Sequence, residues 1–310
     1  MGDVVRALTV AFGRGRVQVD VPLAPLTTFK VGGEADVLLE TRSSAELVTA
    51  LRIAHEADVP VTLLGGGSNV LVSDAGVRGL VLRPRGGEVR RGAGLPSDTV
   101  VADAAVTING LVRWTINHGC AGLEAWAGTP GTVGGAIYGN AHFSGRNISE
   151  YVTAVSVTSR DGVTREVPVA EMGFGYDRSR LQTSGEILLS ATFRVTPGDT
   201  AALRATARQS LAYRKKTQPL DTPSAGCIFQ NPDGQSAGAL VDRAGLKGVS
   251  IGGARVSPTH GNFIINTGHA TARDIRMLIE RCRVAVREKF GIALREEIVY
   301  LGEFDVDTRH

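Results

Sequence analysis

The sequence predicts an α+β fold divided into two or three subdomains, and three observations lead to that prediction. A chain of 310 residues is too long for one ordinary hydrophobic core. Its apolar segments are short strand-like runs mixed with amphipathic helices, and they lack the regular strand–helix alternation of a doubly wound sheet. Its 39 glycines lie between apolar runs rather than in a polar tract, which indicates structured loops instead of a flexible linker.

The first part of the chain predicts two helices and three short strands. The Ser-Ser-Ala-Glu segment at 43–46 has the spacing of a capping box and precedes an apolar helical face. An apolar run over 59–64 predicts a strand that ends at three consecutive glycines, and 69–72 and 79–82 predict two more strands. The apolar spacing over 98–117 predicts the second helix.

The remaining elements follow in the same mixed order. Residues 151–160 and 163–169 alternate as a hairpin whose turn is Asp161-Gly162, and 187–195 predicts a strand. Pro197-Gly198-Asp199 marks a boundary, so we divide the chain into domains 1–84, 85–197 and 198–310. The last domain is expected to contain helices at 200–214, 237–244 and 271–290 and strands at 263–266 and 294–302.

Composition excludes several classes of protein. The fractions of hydrophobic (43%) and charged (21%) residues are those of an ordinary soluble protein. A net charge of +3 without a basic cluster argues against nucleic acid, although a few arginines suffice for an anionic small molecule. The three cysteines, Cys120, Cys227 and Cys282, lack the spacing of a disulfide framework or a zinc site. With no signal-peptide pattern and no apolar run near the ~18 residues of a membrane span, we expect a cytoplasmic protein without a metal.

Two glycine-rich segments are the candidate nucleotide sites. Small residues after a strand can turn several backbone N–H groups toward a pyrophosphate, and hydroxyl and amide side chains add further donors. Each segment taken singly has a structural alternative: a plain turn for the first and a tight structural crossing for the second. Together they favour a large nucleotide cofactor, and the pattern is not the GxGxxG of a Rossmann site. The candidate cofactor residues are Leu64, Gly65, Gly66, Gly67, Ser68, Asn69, Gly128, Thr129, Pro130, Gly131, Thr132, Gly134, Gly135 and Ala136.

A series of motifs in a fixed order resembles a known family. The series contains Leu-Gly-Gly-Gly-Ser-Asn-Val-Leu at 64–71, Gly-Thr-Pro-Gly-Thr-Val-Gly-Gly-Ala at 128–136 and Gly-Cys-Ile-Phe-Gln-Asn-Pro at 226–232. Together with the segments before and after them, these motifs cover about 26–302. In order and spacing the chain resembles the UDP-N-acetylenolpyruvoylglucosamine reductases.

The resemblance implies a fold, a reaction and its cofactors. It implies two FAD-binding subdomains of the PCMH-type flavoprotein scaffold and a C-terminal α+β substrate domain. It further implies that NADPH reduces non-covalently bound FAD, which then reduces UDP-N-acetylglucosamine enolpyruvate, a UDP-sugar, to UDP-N-acetylmuramate. The short connection after Tyr176 resembles the class that lacks an extra tyrosine-bearing loop, and we expect a monomer that binds neither membrane nor nucleic acid.

The resemblance also implies three catalytic residues. Cys227 stands where the family usually has a serine that delivers a proton, and a thiol is the stronger acid. A buried, inert cysteine is the alternative. Glu297 matches the family's C-terminal glutamate; its neighbour Glu296 faces the opposite side if the segment is a strand. The family reads Tyr-Arg-x-Ser, whereas here the arginine is displaced by one residue, which favours Arg178 and leaves Arg180 as the alternative.

Substrate contacts are implied for Tyr176, Arg214 and Asn231. Arg214 suits the UDP diphosphate, although a solvated helix end explains it equally well. Gln230 stands where the family often has lysine, and His142 stands where a small residue is common. Two other functions fit the sequence less well: a flavoprotein oxidase on the same scaffold, and a nucleotide-binding regulatory protein without chemistry.

Overall fold

The computed structural model describes residues 1–91 and 97–304, which form two compact units. Unit 1 consists of 1–18, 38–66 and 80–214, and unit 2 consists of 19–37, 67–79 and 215–310. The domains predicted over 85–197 and 198–310 extend into residues outside the described ranges. The division into three consecutive domains stays a prediction, whereas the mixture of helices and strands confirms the α+β class.

The described residues contain eight α-helices and eighteen strands. The helices are α1 (Gly2–Phe12), α2 (Ser44–Glu56), α3 (Ile108–Asn117), α4 (Val133–Tyr138), α5 (Leu181–Ser184), α6 (Thr200–Thr217), α7 (Ala237–Arg243) and α8 (Ala272–Phe290). The strands are β1 (Val17–Pro22), β2 (Glu34–Thr41), β3 (Val61–Leu63), β4 (Val70–Val72), β5 (Val77–Pro84), β6 (Val89–Arg91), β7 (Thr99–Asp103), β8 (Cys120–Ala121), β9 (His142–Phe143), β10 (Arg146–Asn147), β11 (Val152–Thr158), β12 (Thr164–Pro168), β13 (Ile187–Arg194), β14 (Thr196–Pro197), β15 (Ser250–Ile251), β16 (Ala254–Val256), β17 (Ile264–Asn266) and β18 (Val299–Leu301). Within this described part, no helix is both long and apolar enough to cross a membrane.

Unit 1 contains a five-stranded antiparallel sheet in the order β12-β11-β13-β7-β6. Strands β11 and β12 form the predicted hairpin, in register from Ala154↔Pro168 to Thr158↔Thr164. The sheet packs against α3 and α4 around a core that contains Trp126, Ile137 and Phe193, each at most 1% exposed. This core supports both ends of the second glycine-rich segment, because Trp126 precedes it and Ile137 follows it.

Unit 2 contains the antiparallel sheet β15-β16-β17, with α7 and α8 packed around the same core. Its core includes Phe29, Phe229 and Leu278, all at most 1% exposed. Strand β18 pairs in parallel with β4, in register from Val299↔Val70 to Leu301↔Val72. This pairing brings the end of the chain to the segment that follows the first glycine loop.

A four-stranded sheet in the order β1-β2-β5-β3 contains the strand that leads into the first glycine segment. The division between the units cuts through β1, β2 and β5. Within unit 1, β3 pairs in parallel with β5, from Val61↔Leu80 to Leu63↔Leu82. The sequence predicted β3 correctly but gave no indication of α1, β1, β2 or α4.

Helix caps predicted from sequence are present. Ser43 accepts a hydrogen bond from the Glu46 N–H at the start of α2, while the Glu46 carboxylate accepts from the Arg42 N–H rather than completing the box at Ser43. Thr271 and Asp274 form a full capping box on α8, and Gly291 ends that helix with a left-handed φ of 69°. Local side-chain chemistry therefore determined these helix ends.

The helix predicted over 98–117 was wrong in its first part. Residues Thr99–Asp103 form strand β7, and α3 begins only at Ile108, capped by Thr107. The run Thr99-Val100-Val101 is β-branched and buried, and it pairs with β13 and β6 on its two sides. Tertiary pairing therefore outweighed the helical spacing of the apolar residues.

The strand predicted over 294–302 was too long. Only Val299–Leu301 is a regular strand, and Glu296 contributes an isolated bridge to Phe229. The predicted strand at 59–64 also shortens to Val61–Leu63. Both segments lie beside candidate site residues, where the chain leaves regular pairing.

Candidate functional site

The two glycine-rich segments meet within unit 1. A Cβ added at Gly66 would lie 2.6 Å from the Cα of Gly131, and a Cβ added at Gly65 would lie 2.9 Å from the Oγ1 of Thr132. No side chain fits between backbones at that separation, so glycine at position 66 permits the close approach. The structure thus brings together two candidate segments that are more than sixty positions apart in the sequence.

The first segment presents a row of unused hydrogen-bond donors. The Leu64 N–H donates to the Leu82 carbonyl at 2.9 Å, which ends the strand pairing. Within the described residues, the next four backbone N–H groups, those of Gly65, Gly66, Gly67 and Ser68, have no acceptor. Consecutive backbone donors of this kind are a ready binding site for the oxygens of a pyrophosphate, so the segment fits the predicted cofactor.

The second segment is held by the turn between β7 and α3. The Val133 and Gly134 N–H groups donate to the carbonyls of Val106 and Ala104, both at 2.8 Å. A Cβ at Gly134 would lie 3.2 Å from the Ala104 carbonyl oxygen, so the close contact favours glycine there. Thr132 caps α4 by accepting from the Gly135 N–H at 3.3 Å. Helix α4 therefore begins inside the motif that the sequence indicated as a loop.

Asn109 is a site residue that sequence reasoning missed. Its Oδ1 accepts from the Gly128 N–H at 2.7 Å, and its Nδ2 donates to the Thr129 carbonyl at 3.4 Å. One side chain in the first turn of α3 thus fixes the start of the second glycine segment. Nothing in the local sequence indicates this contact, because it joins residues about twenty positions apart.

Arg214 is buried against the same segment. It is 6% exposed, its guanidinium lies 3.6 Å from the ring centroid of Phe143, and its Nη2 donates to Thr129 Oγ1 at 2.7 Å. The alternative of a solvated helix end is therefore wrong for this residue, although its neighbours Lys215 and Lys216 are exposed. The proposed contact of Arg214 with the substrate remains a prediction.

Arg178 and Arg180 have different environments. Residues Gly175 and Arg178 exchange backbone hydrogen bonds of 3.0 and 3.2 Å and thus close a two-residue hairpin over Tyr176 and Asp177. The Arg178 side chain is exposed, and none of the ion pairs among the described residues includes it. The Arg180 Nε donates to Glu186 at 2.8 Å. The geometry therefore favours Arg178 as the cation available to a ligand.

The partner of Arg180 is a structural carboxylate. Burial alone would raise the pKa of Glu186, but hydrogen bonds from Arg180 and Arg165 hold that pKa below its ordinary value. Two arginines thus share one carboxylate at the edge of the five-stranded sheet. Arg180 already has this partner, whereas no described carboxylate competes for Arg178.

In unit 2, Cys227 lies on a short extended segment held from both sides. Cys227 forms an isolated bridge with Phe263, and the Ile228 N–H donates to the Asn262 carbonyl at 2.8 Å. On the other side, the Glu297 N–H donates to the Ile228 carbonyl at 2.8 Å. The thiol is partly exposed, whereas Cys120 and Cys282 are buried in the cores. Cys227 and Glu297 are therefore placed on adjacent backbone segments.

The Asn262 side chain clamps the residue two positions after Cys227. Its Oδ1 accepts from the Phe229 N–H at 2.9 Å and its Nδ2 donates to the Phe229 carbonyl at 2.7 Å. The Asn262 N–H in turn donates to Nδ1 of His260, whose pKa is lowered by burial. This buried amide fixes the direction of the cysteine segment, and sequence reasoning did not indicate it.

The structure separates Glu297 from Glu296. The Glu296 carboxylate accepts from Arg276 at 2.9 Å and from Arg283 at 3.3 Å, and it also accepts from the Tyr300 hydroxyl, whose pKa is raised by burial. Glu296 is therefore part of an ionic cluster beside α8. The backbone of both glutamates pairs with the cysteine segment, Glu296 with Phe229 and Glu297 with Ile228, and the choice of Glu297 as the catalytic residue remains a prediction.

Two asparagines complete the placement of the predicted residues. The Asn69 Nδ2 donates to the Glu297 carbonyl at 3.2 Å, which links the end of the first glycine segment to the C-terminal strand within unit 2. The Asn231 Oδ1 accepts from the Ala237 N–H at 2.9 Å, at the first residue of α7. Of the predicted residues, Cys227, Asn231, Glu297 and Asn69 belong to unit 2, and Tyr176, Arg178 and Arg214 belong to unit 1.

Comparison with known proteins identifies the class. A family model described as an FAD binding domain matches residues 35–168, which include both glycine segments. A second model, the C-terminal domain of UDP-N-acetylenolpyruvoylglucosamine reductase, matches residues 218–301. No cluster of three metal-ligating side chains occurs among the described residues. The fold and the paired glycine segments therefore define an FAD-containing oxidoreductase.

Full-length relatives identify the family. A UDP-N-acetylenolpyruvoylglucosamine reductase of Anaeromyxobacter dehalogenans (strain 2CP-C) is 42% identical over 294 residues, covering 95% of this chain and 88% of the relative. The one from Synechococcus sp. (strain JA-3-3Ab) is 40% identical and covers 97% of this chain and 96% of the relative. The crystal structure of the reductase from Thermus caldophilus has a TM-score of 0.77 at 33% identity, covering 92% of this chain and 99% of that one. The chain belongs to the UDP-N-acetylenolpyruvoylglucosamine reductase family.

Proposed function

We propose that this chain catalyses the NADPH-dependent, FAD-mediated reduction of UDP-N-acetylglucosamine enolpyruvate to UDP-N-acetylmuramate, a step of peptidoglycan precursor synthesis. The observation that carries the proposal is the likeness to reductases of that name over more than nine-tenths of the chain. The site residues support it, because an anion-binding backbone loop, an exposed arginine and a partly exposed thiol suit the reaction. We further propose that the enzyme works as a cytoplasmic monomer.

The cofactor would be held by the two glycine segments. The unused N–H groups of residues 65–68 suit the pyrophosphate of FAD, and residues 128–136 supply the opposing backbone. Neither segment contains a histidine or cysteine, so the cofactor is bound without a covalent bond. When bound, FAD carries the hydride from NADPH to the substrate. Asn109 and Arg214 hold the second glycine segment in place through hydrogen bonds with Gly128 and Thr129.

The substrate is a vinyl ether with a carboxylate on the carbon that also bears the ether oxygen. Hydride addition to its methylene carbon places negative charge on that neighbouring carbon, and the charge spreads into the carboxylate. We assign the role of stabilising this charge to Arg178, whose guanidinium is exposed and has no carboxylate partner among the described residues. Tyr176 on the same hairpin, together with Asn231 and Arg214, is assigned to substrate binding.

The reaction ends with a proton on the carbon next to the carboxylate. We assign its delivery to Cys227, whose thiol is partly exposed on a segment held by backbone bonds on both sides. Glu297 lies on the adjacent segment and would restore the proton to the thiolate from solvent. One C–H bond forms from hydride and one from the thiol proton, so the product gains two hydrogens.

Product analysis tests the proposal. The purified protein should show the absorption bands of a flavin. With NADPH and UDP-N-acetylglucosamine enolpyruvate, and without oxygen, mass spectrometry should detect a nucleotide heavier by two hydrogens. A flavoprotein oxidase would instead consume oxygen and leave the sugar nucleotide unchanged. Colourless protein that binds a nucleotide without turnover would support the regulatory alternative and refute the proposal.

A further inference from the structure

A buried carboxylate lies directly beside Arg178. The Asp177 side chain is 7% exposed, and its Oδ1 lies 3.0 Å from Nδ1 of His142. Its Oδ2 is buried and has no hydrogen-bond partner among the described residues. A buried carboxylate is stable as an anion only with a cation beside it. His142 is therefore the side chain placed to neutralise the Asp177 carboxylate when its imidazole is protonated.

The histidine of this pair faces outward while the carboxylate faces inward. The His142 side chain is 32% exposed, in contrast to the 7% of Asp177. The imidazole ring lies 5.0 Å, centroid to centroid, from the ring of Tyr176, which is 46% exposed. The imidazole of His142, in β9, is thus the partly exposed member of the pair, and its buried partner Asp177 lies on the hairpin that also carries Arg178.

Several hydrogen bonds fix the position of this pair. The buried side chain of Asn140 donates to the Gly175 carbonyl at 2.8 Å and accepts from the Ser149 N–H at 3.2 Å. The Gln182 side chain donates to the Asp177 carbonyl at 2.8 Å. Asp177 also has a left-handed φ of 50°, which is uncommon for a residue other than glycine. The surrounding contacts therefore hold a costly conformation that aims the carboxylate at His142.

We propose that His142, held in position by its contact with the buried carboxylate of Asp177, is a second cationic donor to the carboxylate of the substrate, alongside Arg178. This inference rests on the proposed function, since that reaction places negative charge on a carboxylate. Two cations on neighbouring segments, β9 and the hairpin that pairs Gly175 with Arg178, suit a group whose two oxygens both gain charge. Asp177 acts through His142 and is a positioning residue.

Two neutral variants test the proposal. His142→Gln keeps an amide donor for Asp177 but removes the positive charge. We expect flavin reoxidation by UDP-N-acetylglucosamine enolpyruvate to slow about 10- to 100-fold, the range typical for loss of a charged hydrogen bond. Reduction of the flavin by NADPH should be unchanged. Asp177→Asn should slow reoxidation less than His142→Gln does, because it leaves the imidazole in place. His118→Gln is the matched control, because His118 is an exposed histidine stacked on Trp114.

The double variant His142→Gln/Asp177→Asn separates charge from folding. It replaces the ion pair by a pair of amides. If His142→Gln fails to fold because Asp177 is left as a buried, unpaired carboxylate, the double variant removes that cause. Because Asp177 acts through His142, the double variant should be no slower than His142→Gln alone. Reoxidation at the wild-type rate in the folded His142→Gln or double variant would overturn the proposal. Wild-type protein that the sugar nucleotide does not reoxidise would refute the proposed function instead.

Discussion

The contact between the two glycine segments makes the sharpest structural prediction. Gly66→Ala adds one carbon atom, which would lie 2.6 Å from the Cα and 3.2 Å from the carbonyl carbon of Gly131. Ordinary van der Waals contact begins at about 3.4 Å, so the two backbones must separate by nearly 1 Å. The obstacle is backbone rather than a flexible side chain, and it cannot rotate away. The segments that would hold the FAD pyrophosphate would then lie too far apart.

The expected cost follows from the size of this overlap. Inserting a carbon into a close-packed contact typically costs about 1–3 kcal/mol. If the cofactor-bound form bears that cost, the Kd for FAD rises about 5- to 150-fold. Titration of the apoprotein with FAD, followed by flavin fluorescence, measures this change directly. Thermal unfolding of the apoprotein separates loss of cofactor affinity from loss of fold.

A second glycine of unit 1 supplies the matched control for this experiment. Gly139 has a φ of −93°, and a Cβ there would lie 3.7 Å from its nearest neighbour, the Gly135 carbonyl oxygen. Gly139→Ala should therefore bind FAD like the wild type. Unchanged FAD affinity in Gly66→Ala would remove the contact from the cofactor site, and equal loss in both variants would make the effect nonspecific.

Four further predictions concern the catalytic and clamping residues. Arg178→Ala should slow flavin reoxidation by the sugar nucleotide and spare reduction by NADPH in stopped-flow measurements, whereas Arg180→Ala should lower only the melting temperature; the reverse result would move the catalytic role to Arg180. Cys227→Ala should slow reoxidation ~10²–10⁴-fold and Cys227→Ser much less, and wild-type turnover in the alanine variant would make Cys227 a packing residue. A thiol-alkylating agent should label Cys227 and spare Cys282, which is 1% exposed and whose pKa is raised by burial to about 12; peptide mapping identifies the labelled thiol. Asn262→Ala should lower the free energy of unfolding in urea by about 1–3 kcal/mol, because it leaves a buried N–H and carbonyl without partners; no change would show that the clamp is replaced by water.

Features encoded locally were predictable from the sequence. The capping residues Ser43 and Thr271 and the terminating Gly291 determined helix ends through hydrogen bonds within one turn. The two glycine segments were visible because loops that approach other backbone closely require glycine. The sequence indicated only that the two segments share a cofactor. It did not indicate that they touch at Gly66 and Gly131, because spacing along the chain does not determine distance in space.

Features that depend on distant partners were not predictable. The segment at 98–117 has helical spacing, yet Thr99–Asp103 became a strand because two neighbouring strands pair with it. The clamp of Asn262 on Phe229 joins residues 33 positions apart. The pairing of His142 with Asp177 was also not predictable from the sequence, because only the fold places the imidazole beside the carboxylate. Single asparagines and histidines carry no periodic signal, so only tertiary structure reveals such pairs.

The central claim is that flavin in this chain passes electrons from NADPH to an enolpyruvyl sugar nucleotide. Its most direct test is a stopped-flow measurement, without oxygen, of the visible absorption band of the oxidised flavin. NADPH should bleach the band, and UDP-N-acetylglucosamine enolpyruvate added afterwards should restore it, with one nucleotide reduced for each flavin reoxidised. A band that NADPH bleaches but only oxygen restores would contradict the account.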